Sequence, residues 1–233
     1  VSVLAFCDGK TLVPMVPSQD HKRALDGDRG LNPGGMGTFS PPRHYTPQIA
    51  ERALREIMLP TVQAMAAEGC PFKGVLFFGL MLTADGPKAL EYNARFGDPE
   101  TQVVLPLLKS DLLSIMLAVE NETLQDVPVE FSQEAACCVM LASGGYPGAY
   151  AKGKVIDLGR APEWAQVFHS GTARDAEGRL ITAGGRVLGV CCTANGLEQA
   201  IESAYRAADE VSFEGMCMRR DIGRRALAIE KGV

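Results

Sequence analysis

The chain lacks a long hydrophobic run, an excess of basic charge and any paired cysteine spacing, and each absence removes a class of function. Its longest apolar stretches, such as Val75 to Leu82 even counting Gly79, fall far short of the roughly 20 residues that cross a bilayer. No charged-then-apolar signal peptide opens it. A membrane partner is therefore not expected, and a cytoplasmic location is the default. With 23 Lys and Arg against 28 Asp and Glu, net charge -5, the chain carries no electrostatic footprint for nucleic acid. The seven cysteines, an odd count that includes the adjacent pairs Cys137-Cys138 and Cys191-Cys192, show no C-x-x-C spacing and no nearby histidine. They read as reduced core residues rather than as zinc ligands or disulfides.

A length of 233 residues is enough for one or two domains, and the pattern along the chain indicates two. Asp8-Gly9 between apolar runs at 1–6 and 11–16 predicts an antiparallel hairpin. From Pro17 to Pro47 the chain is rich in Gly, Pro, Asp and Arg and reads as a functional loop, because it is longer than most connections. Ile49 to Ala67 has helical spacing that Pro60 should kink or divide. Strands are expected at 74–83 and 88–93, joined by Ala84-Asp85-Gly86-Pro87, and helices at about 99–108 and 111–120. The polar stretch Asn121 to Gln133, with Pro128 inside it, marks the boundary between expected domains 1–127 and 128–233. Beyond it, strands are expected at 135–142, 154–157, 166–169 and 186–193, followed by a helix at 197–210. The fold class is α+β throughout.

The run from Glu91 to Thr101 carries the most chemistry. In an extended strand, Glu91, Asn93 and Arg95 share one face, so a carboxylate, an amide oxygen and a guanidinium converge. Hard oxygen ligands beside a phosphate-binding cation suit a magnesium–nucleotide complex. Leu90, Tyr92 and Ala94 are expected to pack on a core, and Asp98-Pro99 reads as a helix N-cap followed by Pro at the first helical position. By pattern alone the run is equally a half-buried edge strand with a solvated polar face. A second cluster, Asp20-His21-Lys22-Arg23, reads on its own as a solvated turn. The glycines of Pro33-Gly34-Gly35-Met36-Gly37 permit close backbone approach, although such clusters also serve merely as turns.

Taken together and in order, Ser18 to Arg23, Pro33 to Gly37 and Glu91 to Thr101 resemble glycinamide ribonucleotide synthetases, ATP-grasp enzymes of purine biosynthesis. Gly144-Gly145-Tyr146-Pro147-Gly148, His169-Ser170-Gly171-Thr172, Gly184-Gly185-Arg186-Val187-Leu188 and Arg220-Asp221-Ile222-Gly223 extend the resemblance along nearly the whole chain. It implies the C-terminal part of an ATP-grasp domain over 1–127 and the family's C-terminal domain over 128–233. The implied activity joins glycine to 5-phosphoribosylamine at the expense of ATP, through glycyl phosphate, in an enzyme that is monomeric when full-length.

By that resemblance Glu91 and Asn93 hold Mg2+ or Mn2+, and Arg95 is the catalytic cation on transferring phosphate oxygens. Asp20, Lys22, Gly34, Gly35, Gly37 and Glu100 join Arg95 in binding substrate, Lys22 at phosphate and Asp20 at the amine or ribose. Gly184-Gly185-Arg186 would help close the domain over substrate. Two departures stand out: Val75 to Leu82 lacks the acidic ligand that many ATP-grasp enzymes place on the preceding strand, and Pro33 stands where Thr is expected. Because Val1 to Phe6 already reads as a strand with no initiator Met, the lid and most adenine-side residues are expected upstream, and the 233 residues alone are expected to be inactive. The rival expectations are another ATP-grasp carboxylate–amine ligase, or a phosphate-binding fragment without catalysis.

Overall fold

The computed structural model describes residues 1–230. In chain order β1 (Ser2–Asp8), β2 (Leu12–Pro14), β3 (Gln19–Asp20) and β4 (Gly37–Ser40) precede α1 (Pro47–Ala53) and α2 (Leu59–Ala67). Next come β5 (Lys73–Thr83), β6 (Gly86–Asn93), α3 (Thr101–Val104) and α4 (Leu112–Glu120). The remainder comprises β7 (Ala135–Ser143), β8 (Gln166–His169), β9 (Thr172–Arg174), β10 (Leu180–Thr182), β11 (Arg186–Ala194), α5 (Leu197–Glu210), β12 (Met216–Cys217) and α6 (Arg224–Glu230). No helix among the described residues is long and apolar enough to cross a membrane.

The chain divides into two compact units, residues 1–19 with 41–133, and residues 20–40 with 134–233. In the first, a sheet runs β2-β1-β5-β6 with antiparallel neighbours. Strand β1 has partners on both sides and all seven of its residues are buried, which is why it reads as an unbroken apolar run rather than an alternation. Val3, Ala5 and Cys7, on one face of β1, join Leu76, Phe78 and Leu80 of β5 and Ala53, Met58 and Val62 of the helices in one core. A π-helical turn over Leu54–Met58 joins α1 to α2 with right-handed helical backbone at both junctions, and this widened turn directly precedes Pro60, whose ring and missing N–H disfavour a regular α-helical turn there. The expected division takes the form of a π-helical turn within a helical run that stays continuous from 47 to 67. Helix α4 is capped as its sequence indicates, with the Asp111 side chain accepting from Ser114 N at 2.7 Å.

The second unit is built on a sheet in the order β4-β7-β11-β8, with β12 beside the end of β7. Helix α5 buries Leu197, Ala200, Ile201, Ala204, Ala207 and Ala208, a 3–4 spacing that makes one apolar stripe, and those side chains share a core with Val139, Leu141, Val190 and Phe39. Alanines dominate the stripe, so the helix approaches the sheet closely, and full burial of a larger anchor such as Ile201 contributes about 1.5–3 kcal/mol.

Four expectations are corrected. Residues 17–47 are not one loop: β4 lies inside them as a fully buried strand paired with β7, its short Gly-Thr-Phe-Ser sequence being too brief to show a period. The stretch 20–40 clusters with the second unit, an excursion that flanking Gly and Pro residues conceal. Residues 154–157 form isolated bridges, Val155 to Ile181 and Asp157 to Ser212, rather than a strand. Cys70 and Cys217 are exposed, and only the other five cysteines are buried.

Candidate functional site

In the first unit the site begins at the β5–β6 hairpin. Its register sets Glu91 opposite Gly79 and Asn93 opposite Phe77, so the carboxylate and the amide share a face as strand alternation requires. The register shifts between Gly79 and Leu80, whose partners are Glu91 and Ala89, leaving Leu90 as the extra residue of a bulge. This explains why Leu90 is 63% exposed instead of packing on the core. Tyr92 is partly exposed too, yet its ring meets Phe78 edge-on at 5.6 Å and its hydroxyl accepts from Thr61 Oγ1 at 3.2 Å. Strand β6 is the edge of its sheet, which leaves Ala89, Leu90 and Glu91 all exposed.

Gly79 makes the Glu91 conformation possible. A Cβ on Gly79 would lie 2.8 Å from Glu91 Cγ and 3.4 Å from Glu91 Oε1, so the glutamate side chain lies across the space that a larger residue would fill. This glycine escaped the sequence reading, although an isolated Gly inside an apolar strand signals a close approach of just this kind. Glu91, an exposed residue, and the half-buried Asn93 supply a carboxylate and an amide oxygen on one face, a donor set that fits Mg2+ or Mn2+ with phosphate and water completing the sphere. Among the described residues no group of three or more His, Cys, Asp or Glu could hold a metal; the candidate is a two-residue set containing an amide.

Arg95 lies beyond that strand. Strand β6 stops at Asn93, the chain bends at Ala94 and Arg95, and Arg95 Nη1 donates to Phe96 O at 2.8 Å. Strand alternation therefore does not bring the guanidinium onto the Glu91–Asn93 face. The following corner also differs from expectation: α3 starts at Thr101 with Glu100 before it, so Asp98 is not the cap. Its Oδ1 accepts from Gln102 Nε2 at 2.8 Å, while Gly97 O accepts from Thr101 N and from the Thr101 hydroxyl. Glu100 is 3% exposed and its Oε1 accepts from Ser2 Oγ of β1 at 2.9 Å. A Cβ on Gly97 would come within 2.8 Å of Glu100 Cβ, so this glycine lets the glutamate fold under the corner.

The second unit contains the other sequence motifs. His21 N donates to Gly37 O and Met36 N donates to His21 O, each at 2.9 Å, which fastens the Asp20–Arg23 segment beside the glycine loop. Asp20 is half-buried and Lys22 is exposed. The His21 ring is buried against Phe39, and its Nε2 accepts from Gly223 N at 3.3 Å. Burial, reinforced by the Arg219 charge and opposed by Asp221 and Asp28, depresses its pKa to about 4. The imidazole is neutral at pH 7.

Gly34 has φ +121°, a conformation that a side chain resists. A Cβ there would stand 3.7 Å from the Arg186 guanidinium carbon, and Arg186 Nη1 donates to Gly35 O at 3.1 Å. Tyr146 donates its hydroxyl to Pro33 O at 2.9 Å, and its ring occupies the space over Gly185. The loop is thus held on both sides by residues of the later motifs. Gly37 has a different reason to be glycine: a Cβ would meet Ile222 at 2.7 Å and Cys138 O at 2.9 Å. His169, exposed, meets Thr172 Oγ1 through Nδ1 at 3.1 Å, a local turn contact.

Comparison with known proteins follows the same order of motifs. A model of the phosphoribosylglycinamide synthetase ATP-grasp (A) domain matches residues 1–101, and one of the phosphoribosylglycinamide synthetase C domain matches residues 136–225. The phosphoribosylamine–glycine ligase of Caulobacter vibrioides is 50% identical over 232 residues, covering 97% of this chain and 54% of that protein. The trifunctional purine biosynthetic protein adenosine-3 of Gallus gallus is 47% identical over 231 residues, covering 98% and 23% respectively. The crystal structure of the Thermotoga maritima phosphoribosylamine–glycine ligase superposes with a TM-score of 0.86 at 39% identity, over 95% of this chain and 55% of that one. Kluyveromyces lactis urea carboxylase, at 13% identity and a TM-score of 0.67 over 99% of this chain and 20% of that one, shares the fold alone. The chain spans about half the length, 54%, of the curated ligases it matches first. Two domain models of one enzyme in the expected order, with a solved ligase superposing over nearly the whole chain, establish that the chain belongs to the phosphoribosylglycinamide synthetase family.

Proposed function

We propose that the chain is part of a phosphoribosylamine–glycine ligase that joins glycine to 5-phosphoribosylamine with ATP in purine biosynthesis. The observation that carries this reading is the Glu91–Asn93 face of β6, kept open for the glutamate by Gly79 across the ladder. A carboxylate is a poor electrophile, so ATP first phosphorylates glycine: a carboxylate oxygen attacks the γ-phosphorus and ADP departs. The amine of 5-phosphoribosylamine then attacks the acyl carbon, phosphate leaves with that oxygen, and the nitrogen loses a proton.

Each residue has a stated task. Glu91 and Asn93 hold Mg2+ or Mn2+, which when bound supplies positive charge to the nucleotide phosphates. Arg95, on the exposed bend after β6, neutralises phosphoryl and acyl phosphate oxygens as charge moves between them. Lys22 meets the ribose phosphate as a point charge, Asp20 accepts from the amine or a ribose hydroxyl, and Gly34 and Gly35 present backbone at close range. Gly37 supports that loop by packing under Ile222, Arg186 closes over it, and Glu100 shapes the corner that carries Arg95. In this reading residues 1–127 are the C-terminal part of the ATP-grasp domain and 128–233 the family's C domain. The ligase is a cytoplasmic monomer without a nucleic-acid partner.

The test is product formation by a full-length protein that carries this sequence. Glycinamide ribonucleotide detected by mass spectrometry, only when ATP, glycine and 5-phosphoribosylamine are all present, is the expected result. Turnover of a different carboxylate or amine in preference to these would assign the chain to another ATP-grasp reaction.

A further inference from the structure

We propose that Arg219 is a positioning residue: buried beneath the loop of residues 23–30, it sets the geometry of the Asp20-His21-Lys22-Arg23 segment on which substrate binding depends. The proposal rests on the ligase reading for what the segment binds, and on contacts within the second unit for how it is held.

Arg219 is 1% exposed, and a buried guanidinium is tolerated only when its donors are matched. Here they are matched half by Asp221 and half by the loop. Nε and Nη2 donate at 2.8 Å to the two oxygens of Asp221, and Nη1 donates to Arg23 O and to Asp28 Oδ1, both at 3.0 Å. Asp221 passes the hold onward, since its Oδ2 accepts from Gly27 N at 2.8 Å. Burial works against the Asp221 charge, but the Arg219 hydrogen bonds and the Gly27 amide outweigh it and keep the carboxyl ionised well below the usual range.

The residues beside Arg219 grip the same loop. Arg220 N donates to Asp26 Oδ1 at 2.7 Å, Arg225 Nη1 pairs with Asp28 Oδ2 at 2.7 Å, and Gly223 N donates to His21 Nε2 at 3.3 Å. Six contacts from one short stretch therefore end on five residues, His21, Arg23, Asp26, Gly27 and Asp28, nearly 200 residues earlier in the chain. Lys22 lies between two of the held residues. From the other side Tyr205 fixes the stretch itself, accepting from Ile222 N at 2.9 Å and donating to Arg219 O at 3.0 Å. The planar fork of arginine serves Asp221, Asp28 and a carbonyl at once, which a lysine ammonium cannot reproduce.

The test compares wild type, Arg219→Lys, Arg219→Met and Asp26→Ala in the full-length protein. Asp26→Ala removes one exposed tether and leaves the buried Arg219 and its direct partners Asp221 and Asp28 in the sequence, so it remains informative where Arg219→Met fails to fold. Amide exchange over residues 22–30 is expected to rise in each folded variant, and KM for 5-phosphoribosylamine to increase by roughly tenfold or more, while KM for ATP and glycine moves by less than about twofold. Wild-type protection of 22–30 in Arg219→Lys and Asp26→Ala would overturn the proposal, as would a loosened loop with unchanged 5-phosphoribosylamine kinetics. Failure of the wild-type protein to make product would count against the ligase reading, whereas the exchange comparison decides the clamp independently.

Discussion

Gly79 faces Glu91 across the β5–β6 ladder, and the absence of a Cβ at Gly79 is what lets the glutamate side chain lie where it does. A Cβ would stand 2.8 Å from Glu91 Cγ. Gly79→Ala should therefore push the carboxylate aside and raise the Mg2+ concentration for half-maximal turnover several-fold. Stability should hold or rise slightly, because replacing Gly reduces the freedom of the unfolded chain by about 0.4–1 kcal/mol. A metal titration and a thermal melt on the same variant separate the two effects; an unchanged titration would detach Gly79 from the metal face.

Glu91→Ala removes the only charged member of the proposed pair and is expected to abolish most metal-dependent turnover, with Asn93→Ala milder. A magnesium titration of rate checks both, and near-wild-type rates for Glu91→Ala across it would remove the metal assignment.

Lys22 is exposed on the segment assigned to the ribose phosphate. Lys22→Met should weaken 5-phosphoribosylamine use by roughly tenfold or more, the cost of a lost charge-assisted contact, and leave ATP and glycine affinity nearly unchanged. Equal losses for all three substrates would point to a misfolded loop.

His21 makes stability depend on pH. Its folded pKa, about 4, lies below the ordinary value near 6.5, so the unfolded chain binds the proton more readily. The stabilisation is complete above about pH 6.5 and is lost as pH falls toward 4, by about 3 kcal/mol in all. Denaturant unfolding across that window should show the loss in wild type and a shallower slope in His21→Gln, where nothing titrates at that position. Parallel slopes would mean that the ring gains its proton without strain.

Periodicity made much of the fold legible. The Asp8-Gly9 hairpin, the β5–β6 pair, the capped α4 and the α5 stripe follow from alternation, turn chemistry and 3–4 spacing within one stretch of chain. What escaped depends on partners distant in sequence. Strand β4 is four residues long and acquires its identity by pairing with β7. The bulge that exposes Leu90 arises from the register against β5, and the bend after Asn93 carries Arg95 off a face that simple alternation assigns to it. At the site, Glu91 and Asn93 were readable as neighbours on a strand. The roles of Gly79 and Arg219 were not, and Tyr146 and Arg186 were legible only as members of glycine-rich motifs, because each acts through a residue between a dozen and nearly 200 positions away.

The most direct measurement follows oxygen. Full-length protein carrying this sequence is supplied with glycine labelled with 18O in both carboxylate oxygens, together with ATP and 5-phosphoribosylamine, and the released phosphate is weighed by mass spectrometry. Transfer of one labelled oxygen to phosphate for each glycinamide ribonucleotide formed is the expected result, since phosphate leaves with the carboxylate oxygen that attacked ATP. Unlabelled phosphate, or ATP hydrolysis without glycinamide ribonucleotide, would contradict the ligase reading.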